Sequence, residues 1–410
     1  MLPETAHGTT GKSALGSARG STLGRMVQKT RRPRPIVKLL AASVATLVAL
    51  GLAEGAVRVL APQPRALGAI GFETEDGAPI ANYVEGVKQG LIVPVPDPKP
   101  RARFMFRPGL RFYITYADQA VLQRDWLDDR GRVLNRINSA GVREREALTE
   151  PKPAGQRRVV CVGDSFTFGW GVPEEQGWVR MLEDELRSAG DDVRTVNCGA
   201  AGTVCIDEYV DGLRQRFARF EPDAVVLTIC LNDLMGSDGL LVLGPPVDTG
   251  SVLLDRILGA AGHGPLALSP NHDWVQDLMD MPEIYPDGTP NPRFGADKPF
   301  AAMWSQGVPQ KSLREAKAWC DSRSIPFMVI LWPFLQGLGE GRHYPFQKIH
   351  ELLAADLDQA GIPLLDVTSV LESTDHEALW VTPADTHPNP TAHRLALPAI
   401  HAFVRQQTGW

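Results

Sequence analysis

From about residue 156 onward the sequence predicts an α/β fold, a mainly parallel five-stranded sheet with helices on both faces. Two observations carry this. Five apolar runs, at 157–162, 192–200, 223–231, 325–333 and 362–369, are near-continuous instead of alternating, as strands buried on both sides must be. Amphipathic stretches of helical period fall between them, and that alternation of strand and helix supplies the crossovers a parallel sheet needs.

Taken in order, the first run leads through "GDSF" to a helical stretch around "QGWVRMLEDELRSAG" (176–190) and then to the strand "DVRTVNCGA". The helix-like "DEYVDGLRQRFARF" and the strand "DAVVLTICL" follow. A long irregular segment, 234–300, rich in Gly, Pro, Asp and His, interrupts the pattern. Loops of this length in compact domains are usually functional or disordered, and this one is expected to wall or cover a pocket. The pattern resumes with the helix "KSLREAKAWCDSR", the strand "IPFMVILWP", a helix around "KIHELLAADLDQAG", the strand "IPLLDVTS" and a last helix starting near Pro390.

Residues 61–155 read as linker and a small β-rich lead-in. "APQPRALG" and "VPVPDPKPRARF" are proline-punctuated and extended, "RFYITYA" predicts a short strand, and "RINSAGVRERE" predicts a turn around Gly141. Before them, the first 38 residues carry Lys12, Arg19, Arg25, Lys29, Arg31, Arg32, Arg34 and Lys38 against Glu4 alone. Residues 1–35 are therefore expected to be a basic, disordered tail. An apolar segment over 36–60 follows, uninterrupted from Leu39 to Ala53. With Ile36, Val37 and snorkelling Glu54 and Arg58 it reaches the roughly 20 residues a bilayer requires.

An uncleaved transmembrane signal anchor, a cleaved signal peptide and a buried or interfacial helix all fit that segment. The small residues near Ala53 make a poor cleavage site, and the basic side lies N-terminal, which favours a single-pass anchor with an extracytoplasmic catalytic domain, periplasmic or extracellular. The whole chain is mildly acidic, with net charge -6, 43% hydrophobic and 22% charged residues. That balance disfavours nucleic acid as a partner. Cys161, Cys198, Cys205, Cys230 and Cys320 form no CxxC pair, so buried thiols are expected, with a Cys198–Cys205 bridge as the alternative. Nothing suggests a metal, nucleotide or redox cofactor.

Ligands in such sheets bind at the carboxyl ends of the strands. There the sequence delivers Gly163, Asp164 and Ser165 after the first strand, Asn197, Gly199 and Gly202 after the second, and Asn232 with Asp233 after the third. Asp385 and His387 precede the last helix. Each has a structural explanation on its own: Ser165 as a helix cap, Gly202 as a turn, Asn232 as an Asx turn, "DTHPNP" as a helix lead-in. Together they fit nucleophilic catalysis. A serine needs a base within hydrogen-bond reach, and an imidazole serves when a carboxylate orients it. The oxyanion then formed needs fixed donors, which the Ser165 and Gly202 backbone N–H groups and the Asn232 amide can provide.

At these residues the chain resembles the SGNH (GDSL-like) hydrolases, of the membrane-anchored bacterial type. "GDSFTFG", "NCGAAG", "LND" at 231–233 and "DTHPN" match its four blocks in order. The resemblance implies a three-layer α/β/α, flavodoxin-like fold and ester hydrolysis, often of acyl groups on carbohydrates or lipids. It assigns Ser165 as nucleophile, Gly202 and Asn232 as oxyanion donors, His387 as base and Asp385 as its orienting carboxylate. Cys230 stands where the family usually has glycine, Ala384 where it often has the aspartate, and Ala392 where a glycine follows the last block.

The expected function is a serine esterase that deacylates a polysaccharide, glycoconjugate or lipid. An O-acyltransferase using the same site and a non-catalytic carbohydrate-binding envelope protein are the alternatives. Asp164 is expected to be a cap or turn carboxylate, and Asn138, Gly141 and Arg143 to serve packing. Phe166, Phe168, Trp170 and Trp178 are read as core aromatics more than as a sugar platform, and His393 as a surface residue of the last helix.

Overall fold

A computed structural model describes residues 35–60, 70–80, 86, 89–94, 104–116, 124–200, 205–234, 241–242, 249, 251–254, 257, 267–268, 288–290, 308–383 and 385–410. The basic tail, Gly202 and most of the 234–300 segment lie outside them. Helix α1, Pro35–Leu60, is apolar around its circumference. Over Pro35–Val59 its mean hydropathy reaches 2.2, long and apolar enough to cross a membrane. Leu39, Leu40, Leu47, Leu50 and Leu52 are exposed.

The lead-in is built from short antiparallel strands. β1 (Ile70–Thr74), β2 (Pro79–Ile80), β5 (Arg111–Tyr116) and β6 (Arg132–Arg136) form one sheet in the order β2-β1-β5-β6, while β3 (Ile92–Pro94) pairs with β4 (Phe104–Phe106). In β5 the period-2 alternation sends Phe112, Ile114 and Tyr116 to the buried side. These side chains join Phe168, Val172 and Val381 of the following domain in one apolar cluster.

The central sheet contains β7 (Arg157–Gly163), β8 (Val193–Gly199), β9 (Ala224–Cys230), β12 (Phe327–Trp332) and β13 (Leu364–Asp366). Its order is β13-β12-β9-β7-β8 with every pairing parallel. Numbered within the sheet this is 2-1-3-4-5, the flavodoxin-like arrangement, whose switch point lies between the first and third strands. Here those are β7 and β9, so their exits frame the place where a ligand is expected.

Two helix pairs cover the sheet. The first joins α3 (Trp178–Ser188) to α9 (Pro390–Thr408), the second α4 (Ile206–Gln215) to α5 (Val308–Asp321). Trp178, Leu182 and Leu186 repeat at four-residue spacing and are fully buried, the stripe by which a helix docks on a sheet. On α9 the same spacing buries Ala392, Ala396, Ile400 and Val404. His393 lies on this inner side as well, fully buried, which corrects its expected place at the surface. Adjacent to Ala392, it is carried by the helix's rotation into the core, with Trp332 5.5 Å away between ring centres. Burial pushes its pKa down to about 3, so the ring is neutral.

Other elements are the helix α6 (Gln347–Gln359), the single turns α2 (Ser165–Phe168), α7 (Thr368–Leu371) and α8 (His376–Leu379), and the hairpin of β14 (Trp380–Thr382) with β15 (Asp385–Pro388). Inside the long segment β10 (Leu241–Val242) pairs with β11 (Ala267–Leu268). All five cysteines are unpaired and buried, and burial pushes the Cys161 and Cys198 thiols upward. They act as small core residues.

Candidate active site

The site begins where β7 ends. Gly163 has φ +156°, and a Cβ there would sit 2.3 Å from the Thr167 hydroxyl and 3.0 Å from the Thr228 carbonyl. Only glycine lets the chain turn so tightly between the two central strands. Asp164 caps α2 by accepting a hydrogen bond from the Phe166 N–H at 2.9 Å. Capping therefore belongs to Asp164, and Ser165 is the first helical residue, its hydroxyl left to point elsewhere.

It points at His387. Ser165 Oγ lies 2.9 Å from His387 Nε2, and His387 Nδ1 lies 2.5 Å from Asp385 Oδ1. The separation of two residues is what makes the second contact possible: in an extended strand, residues i and i+2 share a face, and Asp385 and His387 are both in β15. With the Nδ1 proton directed at Asp385, Nε2 is left to accept from the Ser165 hydroxyl. Asn389 then caps α9 through the Thr391 and Ala392 N–H groups, and Pro390 takes the first helical position. The histidine is thus held between a hairpin and a capped helix.

The charges follow from this geometry. Burial opposes ionisation of Asp385, but the His387 charge and hydrogen bonds from His387 and Tyr116 outweigh it and hold its pKa below the usual carboxylate value. Burial likewise opposes protonation of His387, but the Asp385 charge and hydrogen bond, with the Asp164 charge, raise its pKa above 6.5. Asp164, buried, is pushed up to about 6.

Asn232 sits in the 3-10 turn Leu231–Leu234 directly after β9, at the switch point beside β7. Its neighbour Asp233 fixes the turn, accepting from the Cys230 N–H at 2.8 Å and from the Tyr209 hydroxyl at 2.6 Å. Cys230 fills a fully buried position, so the turn forms without the glycine usual at that place. Gly202 lies outside the described residues, whereas Asn197 bonds the Phe168 carbonyl and the Gly199 N–H. Structure therefore brings Ser165, His387 and Asp385 into one chain of hydrogen bonds and sets Asn232 at the adjoining strand exit.

The residues expected to serve packing do so. Arg143, buried, donates to the carbonyls of Phe168, Gly169 and Val172, tying down the turn behind α2, and Asn138 closes its own loop onto the Glu146 carbonyl. Phe166, Phe168 and Trp178 are core residues. Trp170 differs: it is half-buried, with its ring 5.9 Å from that of His387.

Two features were not singled out in the sequence. Tyr116 of β5 donates to Asp385 Oδ2 at 2.7 Å across 269 residues, too far apart for any local pattern to link them. At the exit of β13, Asp366 holds a second histidine, His350, at 2.8 Å and Thr368 at 2.6 Å. This pair is satisfied internally, with Tyr344 on the far ring nitrogen, and is a buried brace. Among the described residues no group of three His, Cys, Asp or Glu side chains is placed to hold a metal.

A serine, histidine and aspartate linked in series at the switch point of a flavodoxin-like sheet define the hydrolase class of site. The family model described as GDSL-like Lipase/Acylhydrolase matches residues 161–395, more than half of the chain; the chain belongs to that family. It is also similar to the Esterase TesA of Pseudomonas aeruginosa, 32% identical over 92 residues, which is 22% of this chain and 43% of that protein. The match thus spans less than half of that relative. A crystal structure of TesA aligns with 61% of this chain and 99% of its own, at 15% identity and a TM-score of 0.36. A member of the lipolytic G-D-S-L family from Veillonella parvula aligns with 61% and 99%, at 16% identity and a TM-score of 0.32.

Proposed function

We propose that the protein is a serine esterase working through a covalent acyl-enzyme. The observation that carries this is the series Ser165 Oγ, His387 Nε2, His387 Nδ1, Asp385 Oδ1, with links of 2.9 and 2.5 Å. As Ser165 Oγ bonds to the ester carbonyl carbon, His387 takes the hydroxyl proton and Asp385 stabilises the imidazolium. The oxyanion meets the Ser165 N–H, which has no partner within its own helix because it lies in the first turn, together with the Gly202 N–H and the Asn232 amide. His387 then passes its proton to the departing alkoxide, and a water activated the same way releases the acid.

The substrates we assign are acyl groups on a polysaccharide, glycoconjugate or lipid, consistent with a half-buried Trp170 beside the histidine, which offers an aromatic face to a sugar or an acyl chain. We further propose that α1 anchors the protein in a membrane. Apolar side chains on every side of a helix suit a lipid environment, and the basic residues before it favour a cytoplasmic N-terminus.

Turnover of a short-chain aryl ester by the full chain in detergent tests the catalytic reading. Ser165→Ala is expected to lower kcat by roughly five to six orders of magnitude. Turnover equal to the parent's would refute it. Products formed in the presence of an acceptor glycan distinguish hydrolysis, which gives free acid, from acyl transfer.

A further inference from the structure

We propose that Tyr116 is a positioning residue of the catalytic series, and that the lead-in sheet is through it a working part of the hydrolase unit. The proposal rests on the serine-esterase reading above and adds to it a residue that lies outside the family's matched segment, 161–395.

Asp385 is 2% exposed, so both carboxylate oxygens depend on protein donors. Oδ1 accepts from His387, at Nδ1 and at the backbone N–H. Oδ2 accepts from the Tyr116 hydroxyl at 2.7 Å. Tyr116 is itself 2% exposed and ends β5. A carboxylate held at one oxygen swings about its Cβ–Cγ bond; held at both, it presents Oδ1 to the imidazole in one orientation. The slot for the phenol is tight. A Cβ on Gly171 would lie 2.5 Å from the Tyr116 hydroxyl and 2.8 Å from Val381, so Gly171 leaves the space the phenol fills.

The same sheet reaches the histidine by a second route. Phe72 of β1, paired with Ile114 of β5, meets Trp170 edge-on at 5.6 Å, and Trp170 faces His387 at 5.9 Å. One lead-in residue thus holds the carboxylate and another supports the ring beside the imidazole. Asp385 is thus fixed by a donor from another sheet as well as by its own strand.

The phenol also has an electrostatic consequence. Its O–H dipole presents its positive end to Asp385 and, beyond it, to the imidazolium. Asp385 and Asp164 are the carboxylates that favour protonation of His387. Removing the hydroxyl leaves their effect less opposed, so the pKa of His387 rises.

Tyr116→Phe in the full chain tests this, with rates normalised to the sites that a fluorophosphonate labels at completion, so that unfolded protein is not counted. The expected result is a fall in kcat of about 10-fold or more, a KM within about twofold of the parent's, and an acid limb of kcat/KM moved to higher pH. In an Asp385→Asn background the same substitution is expected to have no further effect on kcat. Unchanged kcat and pH profile, a loss confined to KM, or losses that multiply fully in the double variant would each overturn the assignment. Ser165→Ala separates the two levels. If that variant is inactive while Tyr116→Phe matches the parent, the role of Tyr116 alone falls; if Ser165→Ala is active, the esterase reading itself falls.

Discussion

Asp385 and His387 are two residues apart, and that spacing works because they lie in a strand. Side chains at i and i+2 emerge on one face, so Oδ1 meets Nδ1 at 2.5 Å. The spacing was visible in "DTHPN", but the strand that gives it meaning was not, since β15 is a four-residue piece that, among the described residues, pairs with β14 alone. The raised pKa of His387 sets a pH dependence. In the proposed mechanism neutral imidazole is the base, so kcat/KM is expected to rise with pH through an inflection raised above the ordinary histidine value. Asp164 contributes to that rise through its negative charge. Asp164→Asn keeps an acceptor for the Phe166 N–H but removes the charge, so the inflection is expected to move to lower pH. A pH series of kcat/KM on an aryl ester checks both statements; a shift to higher pH in Asp164→Asn would contradict the second.

Among the elements, the central strands and the β-rich character of the lead-in were legible, but the lead-in's contact with the site was not. The burial of β7 and β9 is almost complete, which forces continuous apolar runs such as "VVCV" and "AVVLTIC". In β5 the sequence "RFYITY" does show a strand, yet nothing local says that its last residue, Tyr116, reaches β15. Gly163 binds element to site. Its positive φ and the nearness of Thr167 and Thr228 predict that Gly163→Ala destabilises the fold by about 2 to 3 kcal/mol and displaces Ser165. Chemical denaturation and aryl-ester turnover together measure this. A variant of parental stability and activity would show that the turn tolerates a side chain. Gly202, matched in sequence, lies in the stretch 201–204 outside the described residues, so its role rests on the family pattern and the chemistry of oxyanion donors.

For the whole molecule, the apolar run of α1 and the βα alternation were both readable, the first because it is long and unbroken, the second because it repeats. A 25-residue apolar helix following a basic tail predicts a protein that stays with membranes. The full chain is expected to remain in the pellet after alkaline extraction and to enter solution only with detergent. An alkaline phosphatase fused after Trp410 is expected to be active only if the C-terminal bulk is exported. Release at high pH would argue against the anchor, and an inactive fusion against the orientation.

The proposed mechanism stands on Ser165 as the nucleophile. The most direct measurement is the mass of the protein and its peptides after reaction with a fluorophosphonate. One covalent adduct per chain is expected, on the peptide carrying "GDSFTFG", formed by the parent and absent when His387 is replaced by alanine. A protein left unlabelled under conditions that label other serine hydrolases, or labelled at a different residue, would contradict the account.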